Sequence, residues 1–295
     1  MPRRLLGLLP PLWGNRGRET HPLRSTDPPT YRAAGNRITA SPMSLSRHAQ
    51  SFTKGLAYRF GFSLKRLRPV HAAQSVAGDF TDRIRPLLHA VDPYESFDWQ
   101  SLPDDPSGWG SDSPAFRELV AKVRPSRIIE VGTWKGGSAL TLAAAAADLG
   151  LEVEIICVDT WLGALEMWTD PADPERYGAL ALKHGYPTLY YQFLANVCRA
   201  GRQAAITPFP VPSVTAAQWF ALHGIRADLI YIDGSHEEED VHQDLVSYWD
   251  LVRPGGVIFG DDWSWDGVRL AVRQFAADRQ LAITHRHDKW ELTKP

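Results

Sequence analysis

From about residue 112 onward, the chain alternates short apolar runs with stretches of helical spacing, and this alternation limits its fold more than any other feature. Five runs have the length and the β-branched or aromatic content of buried strands; they lie at residues 127–131, 152–159, 204–210, 228–233 and 256–261. Continuous apolar strands are typical of parallel sheets that helices cover on both faces. The sequence therefore predicts an α/β fold, a Rossmann-like, doubly wound, mostly parallel sheet.

The segments between these strands carry helix signals. Ser113 and Pro114 are suited to the N-cap and first turn of a helix, and further helices are expected over 136–150 and roughly 213–222. The helix after the fourth strand is predicted to bury Val241, Leu245, Tyr248, Trp249 and Val252 and to end at residues 253–256. A last helix carries Val268, Ala271, Val272 and Phe275, and "LAITH" and "WELTK" close the chain as a predicted hairpin at the sheet edge.

The N-terminal region differs in charge from the rest of the chain. Residues 1–70 hold 13 of the 32 basic residues and only two acidic residues, Glu19 and Asp27. We interpret residues 1–75 as a basic extension, expected to be disordered, and residues 76–295 as the folded domain. Met43 is an alternative start. An Arg-rich, acid-poor leader is also compatible with an organelle transit peptide over residues 1–42, so the expected location is the cytoplasm or, alternatively, an organelle.

In parallel sheets, ligands bind outside the carboxyl ends of the strands. The first strand ends in "EVGTWKGGS", and Gly132, Gly136 and Gly137 would let a backbone approach a ligand closely at a helix N-terminus. The spacing differs from the Gly-x-Gly-x-x-Gly of dinucleotide-binding folds, and the glycines alone are equally compatible with tight packing. Asp159 ends the second strand, where a carboxylate binds a ribose diol or caps the next helix.

The fourth and fifth strands end in acidic residues. Asp233 follows the fourth strand, and Asp261 and Asp262 follow the fifth. If these strands are neighbours, their ends lie about 5 Å apart, and three carboxylates at one place favour a bound divalent cation such as Mg²⁺. A helix cap is the alternative role of Asp261 and Asp262. His236, three residues after Asp233, is predicted to face the same region, or else to cap the helix that follows it.

Taken together, the glycine loop, Asp159 and the fourth and fifth strand ends resemble the motifs of class I S-adenosylmethionine-dependent methyltransferases. The resemblance covers roughly residues 110–295, and the terminal hairpin fits the late antiparallel strand of that fold. It implies S-adenosylmethionine as the cofactor. The residues that it implies for cofactor binding are Glu130, Gly132, Thr133, Gly136, Ser138, Asp159 and Asp233.

The pattern "IDGSH…GDD" is similar to a narrower subgroup, the metal-dependent sugar O-methyltransferases and their cephalosporin-hydroxylase-like relatives. This resemblance implies that Asp233, Asp261 and Asp262 bind Mg²⁺ and that His236 is the general base. Some members of the subgroup have Glu in place of Asp261. The implied reaction is methyl transfer to a hydroxyl of a small molecule, of the glycoside or polyphenol class. A nucleotide-cofactor oxidoreductase and a non-catalytic cofactor-binding protein of the same fold are the alternatives.

Residues 161–200 are longer than a minimal crossover between strands and are rich in aromatic residues. They are predicted to form a lid or substrate wall, or else a helical subdomain or an oligomer contact. Trp263 and Trp265 are expected to shape the pocket because they follow the acidic motif directly.

Composition excludes other classes of protein. Two cysteines argue against a disulfide scaffold, and no apolar run reaches the ~18 residues of a membrane span. The basic extension could be a nucleic-acid-binding arm, but it lacks interleaved aromatic residues and any known module, so no nucleic-acid partner is expected. A homo-oligomer remains possible.

Overall fold

A computed structural model describes residues 83–295 of the chain. The predictions made for the basic extension, for a transit peptide and for the start at Met43 therefore lie outside the described residues. Ile84, close to the beginning of the described part, is already buried in the core, and its backbone NH donates to Glu154 at 2.6 Å.

The described residues form the alternating pattern that the sequence predicts. The α-helices are α1 (Arg85–Leu88), α2 (Pro114–Val123), α3 (Gly137–Asp148), α4 (Leu189–Arg199), α5 (Ser213–Leu222), α6 (Glu238–Trp249) and α7 (Asp266–Arg279). The strands are β1 (Arg127–Val131), β2 (Glu154–Asp159), β3 (Ile206–Pro210), β4 (Ala227–Ile232), β5 (Val252–Gly260), β6 (Thr284–Arg286) and β7 (Lys289–Thr293). Short 3-10 helices lie at Trp99–Ser101, Leu165–Trp168 and Gly178–Leu180.

The seven strands form one sheet in the order β3-β2-β1-β4-β5-β7-β6. Strands β1 to β5 pair in parallel, whereas β7 pairs antiparallel with both β5 and β6. The order reverses between β1 and β4, which is where such folds bind their ligands. The predicted fold and the terminal hairpin are thus confirmed, and β4 and β5 are neighbours, with Ile232 paired to Gly260.

Two apolar clusters cover the two faces of the sheet. On one face, α2, α3 and α4 contribute Phe116, Leu142 and Phe193. On the other, α5, α6 and α7 contribute residues such as Phe220 and Phe275, all fully buried. Burying a Phe side chain stabilises the fold by roughly 1.5–3 kcal/mol relative to leaving it exposed. Helix packing on both faces therefore stabilises the sheet whose strand ends carry the candidate residues. No helix in the described part of the chain is long and apolar enough to cross a membrane.

Two element boundaries were predicted wrongly. The strand predicted at residues 281–285 begins only at Thr284, and the helix after the fourth strand ends earlier than expected. Val252 is not part of the helix after the fourth strand, since α6 ends at Trp249 and Val252 begins β5. Residues 253–256 lie within this strand rather than ending a helix. Val252 belongs to the strand because it pairs with Ala227 of β4. The next pair joins Leu229 to Val257, and the Pro–Gly–Gly sequence lies in the register shift between the two pairs. Such a bulge is a place where Pro and Gly are tolerated in a strand.

Candidate active site

A cavity of about 520 Å³ opens at the carboxyl ends of β1, β2, β4 and β5. Its lining brings together most of the residues that the sequence singled out: Gly132, Thr133, Ser138, Asp159, Asp233, His236, Asp261 and Asp262. Glu130 and Gly136 do not line it. Apart from Glu130 and Gly136, the predicted cofactor and metal residues therefore line a single space, which the glycine loop (residues 132–137) and the acidic residues share.

Gly132 is required by the packing of the loop itself. Its φ is +80°, which an L side chain rarely adopts, and an added Cβ would overlap the backbone carbonyl of Asp233. Gly136 has a φ of +89° and faces the ring of Phe193. The sequence left open whether the glycines serve packing or ligand approach. At Gly132 the packing against the β4 loop alone already excludes a side chain.

Asp159 holds two loops together. One carboxylate oxygen accepts from the backbone NH groups of Thr133 (2.8 Å) and Trp134 (2.9 Å), and the other accepts from that of Trp161 (2.7 Å). Burial raises the pKa of this carboxyl, and the three NH groups oppose that shift. Because α4 begins only at Leu189, Asp159 does not cap the next α-helix. Its side chain also lines the cavity, as the ribose-binding prediction requires.

Thr133 carries a buried hydroxyl without a partner. The residue is 2% exposed, and its Oγ1 is the only buried side-chain oxygen or nitrogen within residues 83–295 that makes no hydrogen bond. Burying a hydroxyl without a partner costs about 1–3 kcal/mol. Thr133 lines the cavity beside the N-terminus of α3, but its Oγ1 is itself buried, so a bound ligand would contact this oxygen only after the side chain rotates toward the cavity.

Glu130 lies beneath the cavity rather than in it. The residue is fully buried, its carboxyl accepts from the Ser138 hydroxyl, and the Cys157 thiol lies 3.8 Å from its other oxygen. Burial, reinforced by the negative charge of Asp233, raises its pKa to about 8. Glu130 thus fixes the first turn of α3 from below.

The acidic mouth, defined here as Asp233, Asp261 and Asp262, is assembled by the ends of β4 and β5. The Tyr231 hydroxyl donates to Asp233 Oδ2 at 2.9 Å and lies 3.3 Å from Asp261 Oδ2. Burial, together with the charges of Asp261 and Asp262, raises the pKa of Asp233 to about 8. The three predicted carboxylates therefore crowd together, and their negative charge is incompletely balanced.

Lys289 is a site residue that sequence reasoning missed. It begins β7, is 3% exposed, and its ammonium forms an ion pair with Asp261 Oδ2. The same Nζ lies 3.3 Å from the Tyr231 hydroxyl and above the rings of Phe116 and Tyr231. The predicted last strand begins at Trp290 and so leaves Lys289 out, and no local sequence pattern distinguishes this lysine.

His236 is held on several sides. Its Nε2 lies 2.9 Å from Asp262 Oδ2, its Nδ1 lies 3.6 Å from Glu166, and its ring stacks on Trp265 at 4.5 Å. The hydrogen bond to Asp262 raises the pKa of the imidazole above its usual value. The N-cap of α6 is Glu237, so His236 does not cap this helix. It faces the cavity, as predicted.

The residues at the acidic mouth suit a hard divalent cation. Carboxylate oxygens of Asp261, Asp262 and Asp288 lie within 4.8 Å of one another. Asp233, which the sequence predicted as a third ligand, is not part of this group; the Tyr231 hydroxyl lies between its carboxylate and that of Asp261. Asp288 was not among the predicted ligands, and Ser264 holds its carboxylate with two hydrogen bonds. Neither Asp261 nor Asp262 caps a helix, because α7 begins only at Asp266, after an N-cap at Trp265. An oxygen-only donor set is the kind that Mg²⁺ prefers.

The aromatic insertion forms part of the cavity wall. Trp161, Glu166, Met167 and Arg176 line the cavity, while Tyr186 and Tyr191 are exposed away from it. Trp265 also lines the cavity, but Trp263 does not. Trp263 instead stacks on His285 of the terminal hairpin at 4.9 Å and packs against the core. Trp109 also lines the cavity, with its ring tilted against that of Trp134 at a centroid distance of 5.9 Å; the sequence did not suggest this residue.

The sequence and the structure were compared with those of known proteins, and one sequence family matches part of the chain. Residues 129–263 match the sequence family described as "Methyltransferase domain". No curated protein sequence shows significant similarity to the chain. Two solved structures with similar coordinates are an O-methyltransferase from Bacillus cereus in complex with SAH and CalS11, a calicheamicin methyltransferase. The first is 18% identical and covers 66% of this chain and 86% of its own, with a TM-score of 0.45; the second is 19% identical and covers 90% and 99%, also with a TM-score of 0.45.

Proposed function

We propose that the chain is a class I S-adenosylmethionine-dependent methyltransferase, as the family match of residues 129–263 supports, and that it is a Mg²⁺-dependent O-methyltransferase acting on a hydroxyl group of a small molecule. The observation that carries this proposal is the single cavity, which is lined both by the glycine loop and by the acidic mouth with His236. Methyl transfer between two bound molecules requires such proximity, because the reacting atoms must lie within about 3–3.5 Å.

The cofactor side is formed by the glycine loop. S-adenosylmethionine supplies an electrophilic methyl group on a sulfonium. The unpaired Thr133 hydroxyl, Ser138 at the N-terminus of α3 and the carboxylates of Asp159 and Asp233 are the polar groups that would hold it. A cationic sulfonium is attracted by these carboxylates, which agrees with the excess of acidic residues around the cavity.

The acceptor side is formed by the acidic mouth. Asp233, Asp261 and Asp262 are the residues that would hold Mg²⁺, which lowers the pKa of a bound hydroxyl when present. His236 accepts the proton of that hydroxyl. Asp262 orients the imidazole through Nε2, and Trp265 restricts its ring by stacking. The walls formed by Trp109, Trp134 and Trp265 suit the flat face of a sugar or an aromatic ring.

Calorimetry followed by turnover tests the proposal. The protein should bind S-adenosylmethionine but not NAD. It should transfer a labelled methyl group to members of a panel of glycosides and polyphenols, lose that activity in EDTA and regain it with Mg²⁺ better than with Zn²⁺. Asp262→Asn should remove metal-dependent turnover and preserve cofactor binding. Full activity in chelator would overturn the metal role, and methylation only of amines would overturn O-methyl transfer.

A further inference from the structure

Lys289 is the one buried cation of the acidic mouth among residues 83–295, and the proposed reaction has not used it. The residue is 3% exposed, which is uncommon for a lysine unless it is paired. Its position is set by the antiparallel pairing of β7 with β5, in which Trp290 faces Gly260, the residue before Asp261. The ammonium is thus delivered to the carboxyl end of β5 from the far end of the sequence.

The contacts of Lys289 reach two of the three carboxylates. Its Nζ is ion-paired with Asp261 directly. It also lies 3.3 Å from the Tyr231 hydroxyl, which in turn donates to Asp233 at 2.9 Å. A lysine ammonium has only donors and Tyr231 can accept one and donate one hydrogen bond, so Lys289, Tyr231 and Asp233 form one directed chain.

The surroundings favour a permanent role for this charge. Phe116 and Tyr231 place their rings 4.9 and 5.4 Å from Nζ, which is within the range of cation–π attraction. An added Cβ at Gly110 would press against both Lys289 Nζ and the Asp261 carboxylate, so the segment around Gly110 closes the pair from above. The ammonium is therefore shielded from solvent and held beside the carboxylates.

We propose that Lys289 is an internal counterion of the acidic mouth: it positions Asp261 and Asp233 and weakens the binding of a divalent cation there. This inference rests on the proposed metal role. A fixed positive charge beside a ligand repels the incoming cation, and within a protein such interactions remain strong at short distance. The same charge lets the carboxylates stay together when no cation is bound, since three unbalanced carboxylates would repel one another.

The test compares Mn²⁺ binding, measured by electron paramagnetic resonance on the full chain, in the wild type and in Lys289→Met. Methionine keeps an apolar stem of similar length and removes the charge. We expect Mn²⁺ to bind at least about tenfold more tightly to the variant. The metal-free variant should unfold at a lower temperature, and Mn²⁺ should raise its melting temperature more than that of the wild type.

Matched variants separate this role from simple packing. Lys122→Met removes a lysine that pairs with Glu291 on the same strand β7 but lies outside the cavity, and it should leave Mn²⁺ affinity unchanged. Lys289→Gln keeps hydrogen-bond donors without the charge, and it replaces Lys289→Met if the latter does not fold. It too should tighten Mn²⁺ binding.

The outcomes distinguish the two levels of the proposal. Tighter binding in the Lys289 variants supports the inference, even if the wild type binds no Mn²⁺ at all. Equal or weaker binding in the variants, while the wild type binds Mn²⁺, overturns the inference and leaves the metal role standing. Absence of Mn²⁺ binding in the wild type and in both variants overturns the metal role and the inference together.

Discussion

The glycine loop and the acidic mouth line the same cavity, yet they are stabilised in opposite ways. In the glycine loop the chain satisfies most of its own polar groups: Asp159 accepts three backbone NH groups, and Ser138 donates to Glu130. In the acidic mouth, the three carboxylates have few donors: Lys289, Tyr231 and His236, and one backbone NH, that of Asp262, which donates to Asp261 at 2.9 Å. The pKa of Asp233 is raised to about 8. The hydrogen bonds of the glycine loop are thus formed without a ligand, whereas the acidic mouth carries negative charge that a bound cation would balance.

This contrast predicts which property each substitution will change. Changes in the glycine loop should affect folding and cofactor affinity, and changes in the acidic mouth should affect turnover and metal affinity. The largest effect is expected at the place where the two regions touch.

Replacing Gly132 by Ala should strongly destabilise the fold. The new Cβ meets the Asp233 backbone carbonyl, and the φ of +80° adds strain, so the cost should exceed about 3 kcal/mol. The control is Gly150→Ala, which has a φ of +65° but nothing within 4 Å of its Cβ, and should cost only about 1 kcal/mol. Urea unfolding measures both free energies. Equal costs would mean that the two loops are not in contact as described.

Much of this site was predictable from the sequence, because the strand ends follow from local apolar patterns. Asp233, Asp261, Asp262 and His236 are adjacent to such runs, and the parallel pairing of β4 with β5 brings them together. Lys289 and Asp288 could not be found in this way. They approach only through the antiparallel pairing of a terminal hairpin, whose register no local pattern specifies.

The role of Asp159 shows a second limit. The sequence places a carboxylate at the end of β2, but it does not show that three backbone NH groups already occupy its oxygens. Likewise, the contact between His236 and Glu166 joins residues from separate loops. Contacts of this kind depend on side-chain directions that only the folded chain sets.

In the acidic mouth, His236→Ala should lower kcat by roughly 10²–10⁴-fold if the imidazole is the general base. Binding of S-adenosylmethionine, measured by calorimetry, should change little because the glycine loop is untouched. His242→Ala, on the same helix region but outside the cavity lining, is the control and should keep normal turnover. A kcat near that of the wild type in His236→Ala would assign the imidazole a structural role.

Beneath the glycine loop, Glu130 should make the ligand-free protein less stable as pH rises. Its folded-state pKa of about 8 lies above the ordinary 4.5, so the unfolded chain loses this proton first. The stability is full below about pH 4.5, falls by at most about 1.4 kcal/mol per pH unit, and levels off above about pH 8.

Glu130→Gln should flatten part of this slope, and unfolding free energies measured from pH 5 to 8 test it. Glu152→Gln, an exposed carboxyl before β2, is the control and should leave the slope unchanged. An unaltered slope in Glu130→Gln would show that this carboxyl is ionised in the folded protein.

The smallest effect is expected at Thr133, and its sign is informative. Thr133→Val removes a buried hydroxyl without a partner, so the ligand-free protein should be equally stable or slightly more stable. S-adenosylmethionine should bind more weakly by about 0.5–1.5 kcal/mol if the hydroxyl contacts it.

Thr207→Val is the matched control for this prediction. Its hydroxyl is also buried but accepts from Arg85 at 3.1 Å, so the variant should lose stability and keep cofactor affinity. If both valine variants lose stability alike, the Thr133 hydroxyl has a partner within the protein.

The contact between Glu166 and His236 has a consequence for the evolution and engineering of such enzymes. Glu166 belongs to the aromatic insertion, whereas His236 follows β4, and the two lie 3.6 Å apart. The insertion therefore cannot be exchanged between relatives as an independent cassette for acceptor choice. A chimera that imports a new insertion also replaces a neighbour of the histidine, unless Glu166 is kept.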